Sequence, residues 1–263
     1  MNYEILRDYV IALKSRASVY YEINSGSLIV DRRIDGCGCR QDVISLKMNG
    51  FDVLLDLDDT IFHNDFADEI FPEYLFESST DPFEAKTSIL SAHYRYLSEF
   101  SWLSFDWEKL YLEHVRPKFY FELDRLEEKY YRWPFVYRFR NALKLLKTLK
   151  RLGCRIYAYT NGYYKYQSKL LEIMGMRHYF DDIYSPDRLG VSKMHMFEKL
   201  NVHKDKTIVI GDDFFFDVEV PSYYGIKTIL LYRFRKGPHG SPSSLPTYSF
   251  YDLRSLIKHI EVL

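Results

Sequence analysis

The sequence predicts an α/β fold, a doubly wound parallel sheet, and three observations carry that prediction. Short apolar runs recur at Phe51–Leu57, Cys154–Tyr159, Thr207–Ile210 and Thr228–Tyr232. They are nearly continuous rather than alternating, as strands covered on both faces must be. Between these runs lie amphipathic helical patterns at 136–152, 166–174, 194–200 and 218–224. Strands that alternate with helices specify parallel pairing through crossovers.

Taken in order, the chain opens with apolar positions Ile5, Leu6, Tyr9, Val10 and Leu13, the spacing of a helix over 3–15. Loose alternation from 19 to 34 around Asn24-Ser25-Gly26-Ser27 reads as a hairpin. Residues 1–50 are therefore a small α+β appendage without a chemical signature. Glu4, Arg7 and Asp8 interrupt the first apolar pattern, so it is expected to be neither a signal peptide nor a membrane span. The Rossmann-like core takes 51–61 and 136–263. Residues 62–135 break the alternation with helical stretches at 83–99 and 105–130 and form an α-helical insertion after the first strand. Near the end, Pro and Gly make 236–246 a loop, and 253–262 is a last amphipathic helix.

Composition narrows the partners. Thirty-six basic and 37 acidic side chains leave a net charge of −1, which excludes a broad cationic face for nucleic acid. Three cysteines are too few for a disulfide framework, and Cys37 and Cys39 alone cannot complete a tetrahedral metal site. The expectation is a cytoplasmic protein with free thiols and no membrane partner. Aromatic residues are in excess at 17%. In the insertion, Tyr94, Tyr96, Phe100, Trp102, Phe105, Trp107 and Tyr111 are expected to be core before they are a ligand pocket.

Chemistry gathers at the predicted strand ends, where open α/β sheets place their sites. The first strand ends Asp56-Leu57-Asp58-Asp59-Thr60, the second Thr160-Asn161-Gly162, and the run at 207–210 ends Gly211-Asp212-Asp213, with Asp217 shortly beyond. Lys193 opens the helix before that last strand. Converging carboxylates repel one another unless a cation neutralises them, and oxygen ligands without His or Cys favour Mg²⁺. With a lysine and a threonine hydroxyl beside it, such a site suits a phosphoryl group. Asp59 is expected to cap the turn, and His63 to be a partly exposed hinge residue. Lys144, Lys147, Lys150 and Arg151 read as a solvent-facing stripe.

DLDDT at 56–60, TNG at 160–162, Lys193 and GDDFFFD at 211–217 resemble, in order, the four motifs of the haloacid dehalogenase superfamily. The resemblance spans 51–263 and implies a Mg²⁺-dependent phosphatase of a small phosphorylated metabolite. In it Asp56 would be the nucleophile that becomes an aspartyl-phosphate, and Asp58 the general acid/base. Thr160 and Asn161 would bind phosphoryl oxygens, and Lys193 would balance charge on Asp56 and the substrate. The metal set would be Asp56, the Asp58 backbone carbonyl, Asp212 and, through water, Asp217, with Asp213 able to share. Members that displace halide lack an acid/base Asp at the position of Asp58, so phosphoryl chemistry is favoured. The insertion falls where the family carries a helical cap that reads the leaving group. Two other readings stay open: a phosphotransferase or mutase using the same intermediate, and a non-catalytic binding protein on the same fold. The family lysine is often followed by Pro, whereas Met194 stands here, and Phe214–Phe216 replace a smaller, more polar stretch.

Overall fold

The computed structural model describes residues 48–63, 81–99, 101–114, 138–231 and 246–260. Strand β1 (Asp52–Leu55) lies at the centre of a six-stranded sheet with β2 (Arg155–Tyr159), β3 (Asp182–Tyr184), β4 (Thr207–Gly211), β5 (Lys227–Leu231) and β6 (Tyr248–Phe250). The order is β3-β2-β1-β4-β5-β6 and every pairing is parallel. Val53 sits opposite both Ile156 and Ile208. Because β1 is flanked by β2 on one side and β4 on the other, the strand order reverses beside it, and a crevice opens beyond the strand ends.

The two faces of β1 enter different cores, as the pleat requires. Val53 and Leu55 pack with Leu145, Leu149, Ile156 and Leu256. Leu54 packs on the other side with Tyr159, Phe197, Val209 and Phe216. The doubly wound α/β sheet predicted from the continuous apolar runs is what forms.

Helix α1 (Pro82–Ser98) starts because Asp81 accepts from the Phe83 and Glu84 amides and Pro82 has no N–H left to satisfy. A short 3-10 turn (Trp102–Phe105) and α2 (Trp107–His114) complete the described part of the insertion. His93 on α1 bonds the Ser104 carbonyl, and the Tyr96 hydroxyl reaches Glu113 at 3.3 Å. Tyr111 is buried in the cluster that includes the sheet, and Phe105 meets the His93 ring edge-on, so these aromatics serve packing. Phe100 and the side chains of Trp102 and Trp107 lie outside the described residues, as does the rest of the helix expected to 130.

Helix α3 (Ala142–Arg151) begins six residues later than predicted. Arg138 bridges Phe62 and Asn141 adopts a left-handed φ of 74°, so the chain turns before it coils. Ala142, Leu145, Leu146 and Leu149 form its buried stripe, while Lys144, Lys147 and Arg151 face outward and Lys150 pairs with Asp181. Helix α4 (Tyr164–Ile173) follows β2, and α5 (Pro186–Leu189) follows β3. A 3-10 turn (Lys193–His195) leads into α6 (Met196–Lys199). The helix expected from 218 starts earlier, as a wide π turn (Phe215–Glu219) continuing into α7 (Val220–Tyr223). Helix α8 (Leu253–Ile260) ends the described chain.

The predicted strand list lacked β3 and β6. Each is three residues long, and neither carries an apolar run. Cys154 is a free, buried thiol. The appendage elements at 3–15 and 19–34, Cys37, Cys39 and the loop at 236–246 fall wholly or mostly outside the described residues. Within them, no helix is long and apolar enough to cross a membrane.

Candidate active site

The turn after β1 is held mainly by one acceptor. The Leu57 carbonyl takes the amides of Thr60 at 3.2 Å and Ile61 at 3.0 Å, and Asp59 completes the turn with a φ of +59°. The Asp56 amide still bonds the Ile210 carbonyl of β4 at 2.9 Å. The Asp56 carboxylate is thereby fixed at the C-terminal end of the central strand. Asp59, as expected, serves the turn: its amide bonds the Phe62 carbonyl, and its carboxylate lies 3.7 Å from His63. His63 is half-exposed and meets Phe139 edge-on, at the point where the chain re-enters the core.

Lys193 is the hub of the site. It is 1% exposed, and its Nζ donates to Asp56 Oδ1 at 2.7 Å and to Asp217 Oδ1 at 2.8 Å. Burial alone would depress the ammonium, but Asp217 and Asp56 outweigh it and hold it above its ordinary value. The residue is anchored at both ends. The Tyr159 hydroxyl donates to the Lys193 carbonyl at 3.0 Å, and the Tyr159 ring lies 4.5 Å below Nζ. Met194 and the three phenylalanines, where the chain departs from the family pattern, are all buried. They fill core space on that side of the sheet.

Asp217 comes back beneath β4 through the wide turn. Its Oδ2 accepts the Asp213 amide at 2.9 Å, and its own amide bonds the Asp213 carbonyl. Asp213 caps the turn by accepting from the Phe215 and Phe216 amides. Only glycine fits at 211, because a Cβ there would stand 2.1 Å from Asp217 Oδ2. Both Asp217 oxygens are thus engaged by donors of the chain.

Asp56, Asp212 and Asp217 are all buried, and each offers a carboxylate oxygen within 4.8 Å of the others. Thr60, fully buried, bridges two of them, with its hydroxyl 2.9 Å from Asp56 Oδ2 and 3.2 Å from Asp212 Oδ1. Three buried carboxyl groups gather around one ammonium, more acid than that single charge can neutralise. A divalent cation balances that excess, and the oxygen-only donors suit Mg²⁺ over zinc. The residues present fit the ion expected from the sequence.

Asp58 points elsewhere. Its Oδ2 accepts from Gln167 Nε2 at 2.7 Å and lies 3.5 Å from the Thr160 hydroxyl. Burial, then the neighbouring Asp56 and Asp59 charges, push its carboxyl up to about 7. Thr160 is fully buried, and its Oγ1 accepts the Gly162 amide at 3.0 Å, which shapes the loop carrying Asn161. Just past that loop, burial and the nearby Asp106 carboxylate raise the Tyr163 phenol.

The expected residues therefore divide into two groups: Asp56, Lys193, Asp212 and Asp217 in one knot, and Asp58 with Thr160 beside it. The sequence reading did not single out Thr60, Tyr159 or Gln167. Thr60 stood inside the first motif, four residues from Asp56, and that spacing was the available signal. Tyr159 and Gln167 carried none, since a strand tyrosine and a helix glutamine are ordinary residues.

The sequence profile of the haloacid dehalogenase-like hydrolases matches residues 53–221, more than half of the chain. The chain belongs to this family. A Bacillus subtilis protein named as a HAD-hydrolase, YfnB, is 26% identical over 223 residues, covering 78% of this chain and 92% of YfnB. A glyceraldehyde 3-phosphate phosphatase of Methanocaldococcus jannaschii is 23% identical over 129 residues, or 47% of this chain and 55% of that enzyme. Among solved structures, a HAD phosphatase from Thermococcus onnurineus superposes with a TM-score of 0.61 at 22% identity, covering 80% of this chain and 98% of that one. The fold is also that of the L-2-haloacid dehalogenase RSc1362, with a TM-score of 0.57 at 14% identity over 81% of this chain and 99% of that one. YfnB has been solved bound to magnesium. As a haloacid dehalogenase-like hydrolase, the chain carries a buried acidic cluster on the family's fold.

Proposed function

We propose that this hydrolase is a magnesium-dependent phosphatase acting on a small phosphomonoester through a phosphoaspartyl intermediate at Asp56. The observation that carries the reading is the pair of carboxyls on one turn. Asp56 lies against the Lys193 ammonium, and Asp58 stands two residues on with its Oδ1 buried and without a hydrogen-bond partner. One is placed to attack phosphorus and the other to handle a proton. A site for displacing halide has no need of the second.

Asp56 attacks phosphorus while Asp58 gives its proton to the leaving oxygen, which keeps the electron pair of the broken P–O bond. Asp58 then takes a proton from water as the water oxygen attacks the same phosphorus, and the electron pair of the aspartyl ester bond returns to Asp56. Lys193 holds Asp56 in line, and Thr160 with the Asn161 amide receives the phosphoryl oxygens. Asp56, the Asp58 carbonyl and Asp212 would hold Mg²⁺, with Asp217 behind them on Lys193. The bound cation supplies charge neutralisation for the phosphoryl group. The helical insertion acts as the cap that selects the leaving group.

The test is turnover of p-nitrophenyl phosphate with Mg²⁺ by wild type and Asp56→Asn, extended to a metabolite panel that includes glyceraldehyde 3-phosphate. Release of phosphate by wild type and none by the variant is expected. Full activity in Asp56→Asn overturns the mechanism, and halide release from an L-2-haloacid without phosphatase activity overturns the substrate class.

A further inference from the structure

One polar side chain reaches the acid/base from outside the four motifs. Gln167 lies on α4 and is 2% exposed, and its Nε2 donates to Asp58 Oδ2 at 2.7 Å. The Thr160 hydroxyl approaches that same oxygen, whereas Asp58 Oδ1 accepts no hydrogen bond. The two carboxyl oxygens are therefore unlike: one is crowded with donors and the other is bare.

We propose that Gln167 is a positioning residue for proton transfer. By occupying Oδ2 it fixes the plane of the Asp58 carboxyl and leaves Oδ1 as the oxygen that gives and takes the proton. The inference deepens the phosphatase reading above and rests on it. As the bond from phosphorus to the leaving oxygen breaks, that oxygen keeps the electron pair and takes the proton from Oδ1. As water attacks, its proton returns to Oδ1.

The local structure is built around this contact. The Gln167 backbone N–H donates to the Tyr163 carbonyl at 3.0 Å, so the side chain leaves the first turn of α4 towards the TNG loop. It passes so close to that loop that a Cβ at Gly162 would stand 2.2 Å from Nε2 and 2.9 Å from Cδ. The third residue of the TNG motif is thus small because the amide lies against it. Packing alone does not ask for glutamine. Its Oε1 is buried without a hydrogen-bond partner, a cost a leucine would avoid. What the amide gains in return is Asp58.

The experiment compares wild type, Gln167→Met and Gln167→Asn on p-nitrophenyl phosphate and phenyl phosphate with Mg²⁺. Methionine keeps the length and loses the donor, and asparagine keeps the donor but falls short of Asp58. Phenolate leaves poorly and needs the acid, while p-nitrophenolate hardly does. A well-placed general acid is worth ~10²–10⁴-fold. We therefore expect kcat on phenyl phosphate to fall about tenfold further than kcat on p-nitrophenyl phosphate in both variants, with KM little changed. Equal losses on the two substrates, or none, overturn the proposal. Crystal structures of wild type and Gln167→Met provide a readout free of activity. The Asp58 carboxyl is expected to rotate while Asp56 and Lys193 stay in place, and an unmoved Asp58 overturns the proposal. Failure of the phosphatase reading shows itself separately, as absent or Asp56-independent turnover in wild type.

Discussion

The Tyr159 hydroxyl holds the Lys193 backbone while the ring of the same tyrosine supports the Lys193 ammonium from below. The two contacts can be separated. Tyr159→Phe removes a buried hydrogen bond worth about 1 kcal/mol and keeps the ring. Tyr159→Leu removes the ring as well, and with it a desolvated cation–π contact of about 2 kcal/mol. Kinetics on p-nitrophenyl phosphate should show a small loss for the Phe variant and a clearly larger kcat loss for Leu. Equal losses would mean that the ring contributes nothing.

Gly211 is the clearance through which Asp217 reaches Lys193. Gly211→Ala forces Asp217 away, and breaking a buried pair from one side costs about 3–5 kcal/mol. Urea denaturation should show a large drop in midpoint, accompanied by loss of turnover. An unchanged midpoint would refute the account.

On the proposed reading, the carboxylate knot couples stability to metal. A ligand at a hundred times its Kd stabilises the folded state by about 2.7 kcal/mol. Addition of Mg²⁺ to metal-stripped protein should raise Tm, and Asp212→Asn should abolish the shift. Thr60→Val removes the hydroxyl shared by Asp56 and Asp212 and should lower Tm most when no divalent ion is present. Differential scanning fluorimetry with and without EDTA decides both points.

His93 gives the insertion a pH dependence of its own. Burial holds its pKa below the usual 6.5, opposed by its bond to the Ser104 carbonyl. The unfolded segment then binds a proton that the folded one resists, so stability is full above pH 6.5 and falls as pH drops through that value. Hydrogen exchange over 82–114 should quicken at pH 5.5 relative to pH 7.5, beyond the intrinsic rate change. His93→Gln should cancel the difference; an unchanged pH dependence in the variant assigns it elsewhere.

The parts of this molecule that could be read from sequence are those whose residue type is dictated by burial on two sides or by charge. Val53–Leu55, Ile208–Ile210 and Ile229–Leu231 announce their strands because water reaches neither face. Asp56, Asp58, Lys193 and Asp212 announce the site because charged groups at strand ends need a purpose. The three-residue strands at Asp182 and Tyr248 lie at the sheet's two edges, where pairing on one side asks for no apolar run. The return of Asp217 onto Lys193 depends on a wide turn that no periodicity specifies. Gln167 acts across the space between helix and loop, and contact at that separation leaves no mark on local pattern.

The chain leaves the core after Ile61 and returns at Phe139, and the Phe139 amide bonds the Ile61 carbonyl at 2.9 Å. Phe62 and Arg138 pair alongside. The two ends of the insertion are thus fastened to each other before any of its helices is counted. Loop-closure entropy grows only slowly with length, so joining these ends costs little more for a long insertion than for a short one. That seam is a splice point. A foreign helical segment joined there would inherit a mouth already closed.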